Sequence, residues 1–115
     1  ESIIINTLED LKFLDDTKIT ELSKRKIVSN YYDSLRSLLE AISLLKGYKI
    51  YSHEAFAYFL KEKIDQNTLS LKFDRFRKIR NGLNYYGKSI ELNEAKEIVE
   101  ELKDMIKEIK QKFIK

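Results

Sequence analysis

The stretch TKITELSKRKIVSNYYDSLRSLLEAISLLK at 17–46 decides the fold. Its apolar side chains Ile19, Leu22, Ile27, Tyr31, Leu35, Leu38, Ile42 and Leu45 recur every three to five residues, the spacing of one face of an α-helix. No proline interrupts the run, and Gly47 follows at the place where a residue with left-handed freedom closes a helix. One long amphipathic helix is expected here, with a break near Ser23.

The same period extends to both sides. Upstream, Ile4, Leu8, Leu11 and Phe13-Leu14 describe a short helix over 3–14, and Asp15-Asp16-Thr17 supply capping oxygens for the long helix after it. Downstream, Gly47-Tyr48-Lys49-Ile50-Tyr51 is a connector, and Ser52 is placed to cap a third helix running to about Ile64 with Ala55, Phe56, Phe59 and Leu60 inward. A fourth helix over 69–86 carries Leu69, Phe73, Phe76, Ile79, Leu83 and Tyr86 and stops at Gly87. Gly82 sits inside it at a cost of about 1 kcal/mol relative to alanine, which marks a close contact or a local unwinding. Asn93 is expected to cap the last helix, whose Ile98, Leu102, Met105, Ile109 and Phe113 keep the period while Glu and Lys fill the other face. Short connections favour antiparallel neighbours, so the chain reads as all-α, an up-and-down bundle of about five helices forming one domain over 1–115.

Composition narrows the function. With 43% hydrophobic and 36% charged residues the chain is able to bury a core and cover it, unlike a disordered tail. The absence of cysteine removes disulfides, thiol nucleophiles and Cys-based zinc sites. A net charge of +3 gives no global field, so any anion site must be local. Ile3-Ile4-Ile5 falls far short of a membrane span, and a cytoplasmic protein without membrane attachment is expected. No metal cluster, glycine-rich phosphate loop or Ser-His-Asp set is present, so neither a metal nor a cofactor is expected.

The densest mixture of cations, amides and aromatics is FDRFRKIRNGLNYYG at 73–87. Arg77, Arg80 and Asn84 are three and four residues apart and so share one helical face, where guanidinium groups can fork onto a phosphate beside an amide donor. The bland alternative is a row of surface arginines paired with Asp74 and other acids. The basic run Lys24-Arg25-Lys26 lacks interleaved aromatics and reads as a solvated face. His53, the only histidine, begins the third helix; it is an exposed or capping residue there unless that helix crosses near Arg80.

The stretch Arg80-Asn81-Gly82-Leu83-Asn84-Tyr85 resembles the Arg-Asn-x-x-x-His signature of the HEPN superfamily (higher eukaryotes and prokaryotes nucleotide-binding). Asn30-Tyr31-Tyr32-Asp33-Ser34-Leu35-Arg36, Glu40-Ala41 and the run 47–55 from Gly47 to Ala55 are similar to archaeal members, and together these segments extend the likeness over most of 20–113. The resemblance implies a helical homodimer whose Arg-bearing helices meet in a shared cleft that binds RNA or a nucleotide. It also implies, for many members, a metal-independent ribonuclease of toxin-antitoxin type. In that chemistry the arginine steadies transition-state charge and the histidine handles the proton of the attacking 2′-hydroxyl.

Arg80 and Asn81 match the signature as catalytic candidates, while Tyr85 stands at the histidine position. Phenols titrate near 10, leaving only about 0.1% phenolate at pH 7 to act as a base, so binding survives this change more easily than cleavage. Arg77, Asn84, Tyr86 and His53 complete the set as nucleic-acid or nucleotide-binding candidates. The alternative the family offers is a non-catalytic interaction module partnering a nucleotidyltransferase. The tyrosine modified in some members falls at Gly87 here, so that role is not transferred.

Overall fold

A computed structural model describes residues 2–114 of the chain. They form five α-helices and no strands: α1 (Ser2–Asp15), α2 (Lys24–Leu45), α3 (His53–Tyr58), α4 (Asn67–Tyr85) and α5 (Leu92–Phe113), with a π-helical turn (Phe59–Lys63) continuing α3. None of the described helices is long and apolar enough to cross a membrane.

α2 is the centre of the bundle, packed by α1, α3, α4 and α5. Because neighbours surround it, burial spreads beyond the single stripe that periodicity suggests and takes in Val28, Tyr32, Leu39 and Ala41 as well as Ile27, Tyr31, Leu35, Leu38 and Ile42. α5 is the opposite case. It keeps one narrow buried face, Ala95, Ile98, Val99, Leu102, Met105, Ile106 and Ile109, laid against α2.

Three boundaries differ from expectation, each for a local reason. The break expected near Ser23 is where α2 starts, at Lys24, and 17–23 lie outside the helix because the Ser23 side chain closes the preceding turn. Its Oγ accepts from the Thr20 N–H at 2.8 Å and donates to the Lys18 carbonyl at 2.9 Å, holding the backbone in a turn that excludes helix. Leu22, counted in the stripe, is left 97% exposed there, and Leu45 at the other end is also exposed. The third helix narrows to α3 and then widens into the π turn, an arrangement that buries Phe59 and Leu60 together and leaves Lys61 and Lys63 outside. α5 begins at Leu92 with Glu91 at its N-cap, so Asn93 lies inside the helix; buried Ile90 anchors the chain just before that start.

Other punctuation agrees with the sequence. The Ser52 side chain accepts from the Ala55 N–H at 3.2 Å. Gly47 (φ +88°) and Gly87 (φ +64°) follow α2 and α4 in the left-handed region. Gly82 does not unwind α4: a Cβ there would come within 3.1 Å of the Lys88 side chain, whose segment folds back so that the Lys88 N–H reaches the Gly82 carbonyl at 3.0 Å. Ser70 Oγ, buried on α4, donates to the Ala57 carbonyl at 2.7 Å and ties α4 to α3.

Leu102 is fully buried on α5, so Leu102→Ala is expected to cost about 2 to 5 kcal/mol in a denaturant melt. Leu22→Ala should change stability by no more than about 0.5 kcal/mol. A loss under about 1 kcal/mol at Leu102 would remove that position from the core.

Candidate functional site

The two arginines on the polar face of α4 have equal exposure, 14%, and opposite electrostatic circumstances. Arg77 is neutralised: Nε and Nη2 both donate to Asp74 Oδ1, at 3.1 and 2.9 Å, and Glu54 lies 3.7 Å from Nη1. Burial alone would raise the Asp74 pKa, but hydrogen bonds from Arg77 and Lys78 outweigh it and hold the carboxyl below its ordinary value.

Arg80 has far weaker partners. Among the described residues its one acidic partner, Asp33 on α2, accepts from Nη2 at a long 3.4 Å. Nη1 donates to the Tyr85 hydroxyl at 3.0 Å and to Asn81 Oδ1 at 3.4 Å. The buried Nε has no hydrogen-bond partner among the described residues. The guanidinium is instead held between two rings, its carbon 5.5 Å from the Tyr32 centroid and 5.2 Å from that of Tyr85. It is a positioned cation with donor capacity to spare.

Tyr32 connects this cation to the only histidine. Its ring is fully buried, stacked on Phe73 at 5.5 Å, and its hydroxyl lies 3.0 Å from His53 Nδ1. Burial pushes the Tyr32 phenol up to about 12 despite the nearby Arg80 and Arg36. Burial also lowers His53, helped by the positive charge of Arg36 and Arg80. The phenol therefore keeps its proton at neutral pH and donates it to a neutral imidazole, since no other acceptor serves that buried O–H. This assigns the remaining ring proton to Nε2, so His53 offers its surroundings a donor rather than a basic lone pair.

The remaining candidates gather around the same face. Asn84 Oδ1 accepts from buried Ser29 Oγ at 2.9 Å, which turns its NH2 group away from α2. Asn81 is half-buried beneath Arg80, while Tyr85 and Tyr86 at the end of α4 are 65% and 75% exposed. A groove of about 380 Å³ between α1 and α2 opens beside Asp33, lined also by Asp10, Phe13, Asn30, Ser34 and Ser37. Lys24 pairs with Glu21 at 2.6 Å, and Arg25 and Lys26 are exposed, a solvated face as expected. No described group of three His, Asp or Glu residues is placed to hold a metal ion.

The structure thus brings together Arg80, Asn81, Tyr85 and His53, and engages Arg77 in ion pairs. Tyr32 and Asp33, which build the site from α2, carry no local sequence pattern that marks them as site residues. No protein-family model, curated protein or solved structure matches the chain.

The histidine offers a direct check. Its NMR titration midpoint is expected below 6.5, and Tyr32→Phe should shift it by removing the donor to Nδ1. Because the folded value is depressed, His53 contributes stability that is complete above pH 6.5 and is lost as pH falls through the folded midpoint. His53→Gln should flatten that part of the stability curve; a midpoint at or above 6.5 would contradict burial as the dominant influence on the ring.

Proposed function

We propose that this chain binds RNA or a nucleotide at Arg80, with Asn81, Asn84 and the Nε2–H of His53 as further donors to phosphate oxygens. One observation carries the reading: of two equally exposed arginines on α4, Arg77 is paired with two acids, whereas among the described residues Arg80 has one, Asp33 at 3.4 Å. The Tyr32 and Tyr85 rings position the guanidinium, so a phosphate that displaces the Tyr85 hydroxyl from Nη1 meets a donor already in place. The polar groove beside Asp33 suits a nucleoside, since its amide, hydroxyl and carboxylate groups match ribose hydroxyls and base amines. The HEPN resemblance supports the same ligand class and adds a homodimer, in which two Arg80 clusters would share a cleft.

Binding without cleavage is the form we favour. Attack by a ribose 2′-hydroxyl requires a group to take its proton, and neither titratable ring near Arg80 is suited to it. Tyr85 brings a phenol already accepting from Arg80, and the His53 Nδ1 lone pair is taken by the Tyr32 hydroxyl.

In a fluorescence-anisotropy titration with labelled single-stranded RNA, Arg80→Ala is expected to weaken binding about 10-fold or more, the scale of one lost charge-assisted hydrogen bond. Its thermal melt should fall by no more than the cost of one cation–π contact at the Tyr32 ring, about 1 kcal/mol. Arg77→Ala should affect folding more than Arg80→Ala does, because it removes two hydrogen bonds to the half-buried Asp74 carboxylate and leaves it Lys78 alone. Unchanged affinity in Arg80→Ala would overturn the reading. Incubation of the wild type with RNA in EDTA should yield no new 2′,3′-cyclic phosphate ends, and their appearance would restore the ribonuclease.

A further inference from the structure

The connector at 46–52, α3 and the π turn line a pocket of about 280 Å³ whose make-up differs from that of the Arg80 cluster. Tyr48, Tyr51, Tyr58 and Phe59 supply its rings, and Lys49 and Lys63 its charges. Tyr51 is 86% exposed and Tyr58 60% exposed, so two aromatic faces are held in water beside an apolar floor. Lys49 Nζ lies 5.9 Å from the Tyr51 centroid and Lys63 Nζ 5.6 Å from that of Tyr48. Neither lysine forms an ion pair with a described residue, and no carboxylate lines the pocket.

The backbone is irregular at the same place. The Ile64 N–H reaches back to the Phe59 carbonyl at 3.3 Å, the i to i+5 bond of a π turn, and Asp65 follows in the left-handed region at φ +54°. Such turns are rare and gather at functional sites. Here the turn carries Lys63 over the Tyr48 ring.

Exposed aromatic faces accept planar π systems, and unpaired lysines beside them accept phosphates; a ligand offering both, alternately, is a nucleic acid strand. The pocket is joined to the Arg80 cluster through the start of α3. Ser52 lines it, and the next residue, His53, lies on the Tyr32 ring that carries the Arg80 guanidinium.

We infer that the ligand is a single-stranded RNA segment of several nucleotides rather than a mononucleotide, its bases stacking on Tyr51 and Tyr58 and its phosphates meeting Lys49 and Lys63 after it leaves Arg80. The inference rests on the reading of Arg80 as the phosphate anchor and adds the length and path of the strand.

The test uses fluorescein-labelled oligouridylates of two and twelve nucleotides in anisotropy titrations on wild type, Arg80→Ala and the double variant Tyr51→Ala/Tyr58→Ala, with sedimentation of each protein. The expected result is that the tyrosine variant, whose altered rings are exposed, melts like wild type, binds the dinucleotide unchanged and loses about 10-fold or more on the twelve-mer. Arg80→Ala should weaken both lengths. Twelve-mer affinity within twofold of wild type in the tyrosine variant would overturn the strand path while leaving Arg80 as anchor. If that variant also sediments as a smaller species, the pocket is a surface between copies of the chain. Loss of the twelve-mer in the tyrosine variant with no effect of Arg80→Ala would overturn the anchor and keep the pocket.

Discussion

Tyr32 stands in two environments at once, and the arrangement of α2, α3 and α4 depends on both being satisfied. One part of its ring belongs to the core, stacked on Phe73, which in turn meets Phe56 edge-on at 6.0 Å. The rest belongs to the polar site, with the Arg80 guanidinium over the ring and His53 at the hydroxyl. A buried phenol without an acceptor would cost about 1 to 3 kcal/mol, so the His53 bond fixes where α3 begins. The ring face, in turn, gives Arg80 a surface to lie on where a carboxylate would have neutralised it.

The difference between Arg77 and Arg80 has its origin in that frame. Both project from the same face of one helix, and nothing in their exposure separates them. What separates them is what the neighbouring elements present: Asp74 and Glu54 to Arg77, aromatic rings and a distant Asp33 to Arg80. Ion pairing satisfies a guanidinium and uses up its donors, whereas stacking holds it in place and leaves them available.

This contrast also marks how far the sequence was legible. Helical periodicity named the helices because a side chain's burial on a bundle helix is largely a matter of its angular position, and Ile98, Leu102, Met105 and Ile109 obey it on α5. It underestimated α2, where neighbours on several sides bury what a single stripe would expose, and it misplaced Leu22, which a hydroxyl network at Ser23 holds outside the helix. Arg80, Asn81 and Tyr85 were readable together because they are close in the chain. The alignment of His53 on Tyr32, and of Asp33 on Arg80, was not, since those pairs are joined by 21 and 47 residues of separation and meet only through packing.

The Tyr85 hydroxyl bond to Arg80 means that the guanidinium is not waiting empty: the chain supplies its own occupant. An anion arriving at Nη1 competes with a tethered phenol, and its apparent affinity is scaled down by the fraction of molecules in which that ring has swung aside. Since Tyr85 is largely exposed, the swing is a change of rotamer at the end of α4, on the picosecond to nanosecond scale of surface side chains, with no helix required to move. The anion site we propose would thus carry a built-in threshold, one that a ligand held at several points crosses more readily than a singly attached anion.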